Sequence, residues 1–328
     1  RLVGSEMCIR DRYISRYNII KIWMKIYQEK RSIKVMSSKI TIIGAGSVGA
    51  TIAYTLSSQD IASEIVLIDI NKKKAEGEVL DIIQGTCFRD PISIIAGDYE
   101  DARDSDIVII TSGIARKPGQ TRLELTQTNV NILKSITPEI VKVAPHALYI
   151  IVSNPVDIMT YVFTKISGLP ENQIMGSGTI LDTARLRYGL SEHFKVAQGN
   201  IHAYVFGEHG DTSFIPWTGA YISGLSTDEY YEEMKAHGKD VKPLDKEAML
   251  EYVQKSGGKV IAKKGATFYA VSATVCQLVG LILAASDSLA TVSSMLHGEY
   301  GIEDVCLSTL TLVAVSYTHL TLPTNSRV

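Results

Sequence analysis

From residue 39 onward, short and continuously apolar runs alternate with longer segments in which apolar residues recur at a helical spacing. A strand buried on both faces has no polar side, so uninterrupted apolar runs are typical of a parallel sheet covered by helices. The alternation therefore predicts an α/β fold with a doubly wound parallel sheet. The predicted strands lie in KITIIGAG, EIVLIDI, ISIIAG, DIVIITSG and LYIIVSNP.

The pattern changes after about Gly176. Longer helical segments follow, with few and scattered strands, which favours a second domain of mixed α+β type. We predict an N-terminal domain at residues 38–176 and a catalytic domain at residues 177–314. The segments behind the second prediction are the helices LDTARLRYGLSEHF, STDEYYEEMKAHG and KEAMLEYVQKSGG, and the strand NIHAYVFG.

The two ends of the chain look foreign to this pattern. The first residues, RLVGSEMCIRDR, and the late segment VSYTHLTLPTN both resemble translated sequencing-adapter read-through. A basic amphipathic targeting peptide is the alternative for the start of the chain. We expect residues 1–35 to be a non-native or disordered leader, Met36 to be the natural start, and residues 315–328 to be a non-native tail.

Composition narrows the classes of function. A chain of 328 residues with 45% hydrophobic residues and a net charge of −2 fits a globular protein, and the charge argues against a general nucleic-acid binder. The four cysteines show no CxxC and no zinc-type spacing, so we expect reduced thiols in a cytoplasmic protein and no metal site. The apolar run at residues 270–285 contains serine, threonine and glutamine, which favours a core helix over a membrane span.

A glycine-rich loop follows the first predicted strand. Gly44, Gly46 and Gly49 have the GxGxxG spacing between a strand and a helix, where a dinucleotide pyrophosphate meets the helix N-terminus. Asp69 ends the second strand, where a carboxylate accepts hydrogen bonds from a ribose 2′-OH and repels a 2′-phosphate. The loop and Asp69 together predict a site for NAD rather than NADP. Lys74 is either a solvated charge on the following helix or a contact near the adenosine.

Candidate acid–base chemistry lies in the second domain. His209 in GEHGD follows a predicted strand, where its side chain can face a cleft. Asp182 and Arg185 in LDTAR have a spacing that puts both on one face of a helix. A carboxylate that orients a histidine suits proton transfer near neutral pH. The residues alone leave open whether Asp182 meets His209.

Several motifs in order resemble the L-lactate/malate dehydrogenase family, most closely its bacterial L-lactate dehydrogenases. The resemblance extends from about Lys39 to Ala314 and implies a Rossmann domain, a mixed catalytic domain, NAD as cofactor, a cytoplasmic homotetramer, and pyruvate or lactate as substrate. Nothing in it implies a nucleic-acid or membrane partner. The motifs are GAGSVGA, KPGQTR, VSNPVD, GSGTILDTAR, HAYVFGEHGD and KGATFYA.

The resemblance also implies roles for single residues. His209 would donate a proton to the substrate carbonyl with Asp182 as its partner, and Arg185 would clamp the substrate carboxylate. Arg122 would polarise the carbonyl from a mobile loop. The remaining implied substrate contacts are Arg116, Asn154 and Thr267. The remaining implied cofactor contacts are Val48, Tyr99, Gly113, Ser135, Ser153, Asn154 and Ser177.

Arg187 and His202 match positions that bind fructose 1,6-bisphosphate in allosteric bacterial lactate dehydrogenases. Both are cations or potential cations, which suits a phosphate ligand. A surface arginine and a strand-end histidine are the alternative interpretation. We therefore hypothesise an effector site between subunits.

Two features depart from the lactate-type pattern. Arg116 lies where lactate dehydrogenases commonly carry glutamine and malate dehydrogenases carry arginine, so an L-malate dehydrogenase acting on oxaloacetate is the first alternative. The second alternative is an NAD-binding regulator without catalysis. The presence of His209, Asp182 and Arg185 argues against it.

The family also continues beyond LSTLTLVA with a strand and a long helix, so we expect this chain to be C-terminally truncated.

Overall fold

The computed structural model describes residues 38–114, 121–284 and 287–313, with Arg122 described by its backbone alone. The predicted leader and tail lie outside these residues. The described residues belong to one compact unit, and the predicted domain division at residue 176 stays a prediction.

Eleven strands are found in the described part of the chain. They are β1 (Lys39–Ile43), β2 (Glu64–Ile68), β3 (Ser93–Ala96), β4 (Ile107–Ile110), β5 (Leu148–Ile151), β6 (Ile174–Gly176), β7 (Ile201–His202), β8 (Tyr221–Ile222), β9 (Leu225–Ser226), β10 (Ser288–His297) and β11 (Glu303–Val313).

Eight α-helices lie between or after these strands within the same described ranges. They are α1 (Ser47–Ser58), α2 (Lys72–Gln84), α3 (Arg122–Val143), α4 (Val156–Ser167), α5 (Ile180–Phe194), α6 (Thr227–Ala236), α7 (Lys246–Lys264) and α8 (Tyr269–Leu283).

The main sheet confirms the predicted doubly wound α/β fold. Its order is β3-β2-β1-β4-β5-β6-β10-β11, and the first six strands are parallel. The order reverses between β1 and β4, and ligands of open α/β sheets bind in the crevice at the carboxyl ends of such strands. β10 and β11 extend the sheet in antiparallel fashion, and β7, β8 and β9 form a separate small sheet.

Both faces of the main sheet are buried, which explains the uninterrupted apolar runs. In β1, Ile40 and Ile42 belong to the core on one face, whereas Ile43 belongs to the core on the other. β4 repeats this alternation, with Ile109 on the first face and Ile110 on the second. Successive side chains of a strand point to opposite faces, so a strand covered on both sides needs apolar residues throughout.

The apolar run near residue 275 forms the core helix α8, as predicted. α8 packs on α1, where Ser272 Oγ donates to the carbonyl of Val48 at 3.2 Å and where Val275 and Val279 are fully buried. Among the helices described, none is both long enough and apolar enough to cross a membrane.

The predicted strand NIHAYVFG is wrong beyond its first residues, because only Ile201 and His202 form β7. Further along, two threonine side chains form hydrogen bonds with the backbone of Val205. Its N–H donates to Thr183 Oγ1 at 3.0 Å, and its carbonyl accepts from Thr179 Oγ1 at 2.5 Å. These contacts fix Val205 to the start of α5, and the residues that follow form only isolated β-bridges, Phe206 with Phe214 and Gly207 with Ser308.

Candidate active site

The glycine loop lies at the carboxyl end of β1, where the strand order reverses. Gly44 has φ +113°, and a Cβ there would lie 2.7 Å from Thr111 Oγ1. A Cβ on Gly49 would lie 1.9 Å from the carbonyl oxygen of Gly44, so strand and helix approach too closely for a side chain. A Cβ on Gly46, in contrast, would meet no described atom within 4 Å.

These three positions fit a dinucleotide. The space above Gly46 lets a pyrophosphate approach the backbone, and Gly46 brings no side-chain oxygen to cap α1. Val48 lies in the first turn of α1, whose amide groups and helix dipole favour a phosphate.

Asp69 is fixed by the backbone around it. Its Oδ2 accepts from the N–H of Ala45 at 2.7 Å, and its Oδ1 accepts from the N–H of Asn71 at 2.8 Å. An ionised carboxylate has about four lone-pair sites, so it retains acceptors for a ribose hydroxyl. Lys74 is exposed on α2 near this position.

The serines predicted to contact the cofactor form hydrogen bonds with backbone groups of neighbouring residues. Ser153 Oγ is buried and donates to the carbonyl of Ser112 at 2.5 Å, and the N–H of Ser177 donates to Ile151 at 2.8 Å. Ser135 is exposed on α3, and its hydroxyl donates to the carbonyl of Ile132 at 2.7 Å. The hydroxyls of Ser153 and Ser135 are thus engaged by backbone carbonyls.

Tyr99 packs against the core beside α3, where burial first and the charge of Glu139 second raise the pKa of its phenol. Gly113 is exposed, and a Cβ there would lie 3.3 Å from Asn129 Oδ1. Asn154 is exposed after β5, on the crevice side of the sheet.

Asn129 is a residue that the sequence analysis missed. It is buried on α3, where its Oδ1 accepts from the N–H of Ile114 at 2.9 Å and its Nδ2 donates to the carbonyl of Asn154 at 2.8 Å. It therefore ties together the loops that follow β4 and β5. An asparagine at a helix position where the repeating pattern calls for an apolar residue is the signal that could have identified it.

The structure brings His209, Asp182 and Arg185 together. His209 Nδ1 donates to Asp182 Oδ2 at 2.5 Å, and Arg185 Nη1 donates to Asp182 Oδ1 at 2.7 Å. The Asp182 side chain is 7% exposed and that of His209 is 26% exposed, so the carboxylate is shielded while part of the ring remains accessible.

Burial and contacts shift the pKa of His209 and of Asp182 in opposite directions, and for both residues the contacts together have the larger effect. Burial alone would lower the pKa of His209, whereas the hydrogen bond and charge of Asp182, with the charge of Asp157, raise it. Burial alone would raise the pKa of Asp182, whereas His209 and Arg185 hold it below its usual value. The pair thus favours a carboxylate beside an imidazole that readily takes up a proton.

A second buried carboxylate contacts the same loop. Asp157, at the start of α4, is 7% exposed; its Oδ2 accepts from the N–H of His209 at 2.8 Å. Its Oδ1 accepts from Ser293 Oγ of β10 at 2.6 Å. Sequence reasoning gave Asp157 no role, although it stands in the motif VSNPVD.

Arg185 and Thr267 share a cavity of about 580 Å³ between α5, α7 and the start of α8. Two further cations and several aromatic rings line it: Lys259, Lys264, Tyr188, Tyr252, Phe268 and Tyr269. Lys264 Nζ lies 3.7 Å from the centre of the Phe268 ring. The cavity suits a small anion with an apolar part.

Arg187 on α5 contacts the residue that follows His202. Arg187 Nε donates to the carbonyl of Ala203 at 3.2 Å, and its guanidinium lies 5.0 Å over the ring of Tyr204. His202 is exposed on β7. Arg187 and Tyr204 line a cavity of about 390 Å³.

The two arginines of the loop GIARKPGQTR are placed only in part. Arg116 and the side chain of Arg122 lie outside the described residues. The backbone of Arg122 begins α3, whose cap is Thr121 paired with Glu124.

Two family models match consecutive parts of the chain. Residues 38–176 match the lactate/malate dehydrogenase NAD binding domain, and residues 179–318 match the lactate/malate dehydrogenase alpha/beta C-terminal domain. The first match assigns NAD as the cofactor of the domain at residues 38–176.

Curated relatives and solved structures agree with these models. "L-lactate dehydrogenase 1" of Clostridium acetobutylicum is 48% identical over 280 residues, which cover 85% of this chain and 88% of the relative. L-lactate dehydrogenase of Acetivibrio thermocellus is 48% identical over 278 residues, which cover 85% and 87%.

Among solved structures, a lactate dehydrogenase from a Medee basin deep-sea metagenome superposes with a TM-score of 0.83 at 34% identity, covering 88% of this chain and 92% of that one. The minor L-lactate dehydrogenase of Enterococcus mundtii gives a TM-score of 0.82 at 35% identity, with the same coverage. The matched sequence models, relatives and folds agree on one assignment: the chain belongs to the lactate/malate dehydrogenase family of NAD-dependent 2-hydroxy acid dehydrogenases.

Proposed function

We propose that this protein is an L-lactate dehydrogenase, which reduces pyruvate to L-lactate reversibly with NADH. The observation that carries the proposal is the 2.5 Å hydrogen bond between His209 Nδ1 and Asp182 Oδ2, with Arg185 on the other oxygen of the same carboxylate. The names of the similar curated proteins support pyruvate as substrate. In this proposal residues 38–176 form the NAD-binding domain, and residues 177–314 form the catalytic domain that holds His209, Asp182 and Arg185.

The histidine does the proton chemistry. Because Nδ1 is engaged by Asp182, Nε2 is the nitrogen that gives its proton to the carbonyl oxygen of pyruvate and takes it back from lactate. Asp182 stabilises the imidazolium and fixes its orientation. NADH, when bound, supplies the hydride.

The remaining residues place the substrate. Arg185 offers a planar guanidinium that fits the substrate carboxylate in bidentate fashion, and Thr267 lines the same cavity. Arg122 polarises the carbonyl, and Asn154 lies between nicotinamide and substrate.

Substrate choice depends on Arg116. A guanidinium there would pair with the distal carboxylate of oxaloacetate if it faced the cavity, and would meet only water if it faced outward. The L-lactate dehydrogenases among the relatives count against the malate alternative.

We expect kcat/KM for pyruvate to exceed kcat/KM for oxaloacetate in the wild-type protein, because moving a second carboxylate from water into a cavity rich in aromatic rings costs free energy that the methyl group of pyruvate does not. The Arg116→Gln variant should change the pyruvate value little. Steady-state NADH oxidation with each keto acid measures both. A wild-type preference for oxaloacetate that Arg116→Gln reverses would establish the malate alternative.

We further propose that the protein is a cytoplasmic homotetramer with an effector site for fructose 1,6-bisphosphate at Arg187 and His202. Arg187 gives one N–H to Ala203 and has further donors for a phosphate, and His202 is exposed nearby. The test is a titration of fructose 1,6-bisphosphate at sub-saturating pyruvate. We expect activation in the wild-type protein that Arg187→Gln loses; no change in the wild type would reject the site.

A further inference from the structure

We propose that Asp157 is a positioning residue for the proton transfer: it holds the loop of His209 through a backbone N–H and places a second negative charge beside the imidazole. The inference rests on the proposed function, in which His209 carries the proton. It assigns Asp157 a part distinct from that of Asp182, which contacts the ring itself.

The hydrogen bonds around Asp157 indicate an ionised carboxylate. Each oxygen accepts from one donor, the N–H of His209 at 2.8 Å and Ser293 Oγ at 2.6 Å. The second distance is typical of a hydroxyl that donates to a charged oxygen. Burial raises the pKa of Asp157, while Ser293 and His209 oppose that rise.

The position of Asp157 joins three separate parts of the fold. The carboxylate belongs to the start of α4, Ser293 to the centre of β10, and His209 to the loop after Gly207. Ser293 is fully buried, so the hydroxyl fixes the carboxylate in one orientation. The backbone of His209 is thereby anchored to the main sheet, while its ring is anchored to Asp182 on α5.

The charges that face this site come from each element packed around it. Asp182 and Arg185 of α5 face His209, with opposite effects on its pKa. Glu208 faces Asp157 from the loop itself. The thiol of Cys306 on β11 is neutral, since burial first and the charge of Asp157 second raise its pKa to about 12. Asp157 therefore acts on His209 together with the ion pair of Asp182 and Arg185.

The sign of the effect follows from the charge. A negative charge near an imidazole stabilises the imidazolium and raises its pKa, so its removal lowers the pKa of His209. Pyruvate reduction needs the protonated ring, so its decline with rising pH begins at a lower pH than in the wild type. Lactate oxidation, which needs the neutral ring, begins at a lower pH.

Asp157→Asn removes the charge and retains the contacts, because the amide oxygen accepts from His209 and the amide nitrogen donates to Ser293. Asp157→Ala removes both. The matched control is Asp304→Asn, which neutralises an exposed carboxylate paired with Lys165. Asp304 has φ +53°, a conformation that asparagine also tolerates.

The experiment titrates the His209 ring by NMR in the wild type and in each variant, with His209→Ala to assign its signal among the seven histidines. We expect Asp157→Asn to lower the pKa of His209 and Asp304→Asn to leave it unchanged.

The kinetic experiment measures the pH profiles of pyruvate reduction and lactate oxidation, and both should shift to lower pH in Asp157→Asn. Asp157→Ala should lose about 10²-fold in kcat, as expected when a catalytic group is misplaced. Asp157→Asn should keep most of the kcat that Asp157→Ala loses.

An unchanged titration of His209 in folded Asp157→Asn would overturn the proposal. If that variant does not fold, Asp157→Ser tests the same charge, because it also replaces the carboxylate with a neutral group and should lower the pKa of His209. The absence of a shift there would also overturn it. The NMR titration needs no turnover, so a wild type that fails to reduce pyruvate would refute the proposed function and leave this test standing.

Discussion

Replacement of His209 by alanine is expected to lower kcat for pyruvate reduction by about 10²–10⁴-fold, the usual contribution of a positioned general acid. The affinity for NADH should stay unchanged, since His209 lies on a loop apart from the glycine loop and Asp69. Steady-state NADH oxidation measures the first quantity, and fluorescence titration with NADH measures the second.

His237→Ala is the matched control. This histidine is 74% exposed at the end of α6 and pairs with Glu233, so its loss should leave kcat unchanged. A His209→Ala protein that retains wild-type kcat would remove His209 from the chemistry.

Arg185→Leu is expected to lower kcat/KM for pyruvate by about 30-fold to 4,000-fold. The estimate follows from the 2–5 kcal/mol that the loss of one partner of a buried, hydrogen-bonded charge pair costs, at about 1.4 kcal/mol per factor of ten. Arg185→Lys should recover part of the loss, because an ammonium keeps the charge but not the bidentate fork.

Initial rates over a range of pyruvate concentrations measure this effect. Arg103→Leu provides the control, because Arg103 forms an exposed ion pair with Glu100 that contributes little. A loss in Arg185→Leu no larger than in Arg103→Leu would show that the substrate carboxylate binds elsewhere.

Local chemistry made much of the fold predictable. The apolar runs identified the strands of the parallel sheet because burial on both faces leaves no polar position, as in β1 and β4. The glycine spacing identified the loop because close approach excludes a side chain at Gly44 and Gly49. Each of these signals can be recognised within a few neighbouring residues of the sequence.

Contacts between distant residues were not predictable in this way. Asp182 and His209 are 27 residues apart, and only the packing of α5 against the following loop brings them together. The strand predicted at NIHAYVFG ended early because Thr179 and Thr183 bind the backbone of Val205, a competition that no local pattern reveals.

Buried polar residues were the least predictable part of the site. Asp157 and Asn129 were missed because their partners, Ser293 and the loops after β4 and β5, are supplied by other elements. A polar residue at a buried phase of a helix indicates that a partner exists, but only the tertiary fold identifies that partner.

Single-turnover mixing tests the central claim most directly, namely that His209 gives the proton while NADH reduces pyruvate. Protein is first mixed with less than one equivalent of NADH, so that the NADH is bound, and the complex is then mixed with excess pyruvate. The loss of NADH absorbance and the formation of L-lactate are followed together. We predict one L-lactate for each NADH in the wild-type protein and a rate about 10²–10⁴-fold slower in His209→Ala with NADH still bound. Equal rates in the two proteins, or no oxidation of NADH by pyruvate in the wild type, would contradict the account.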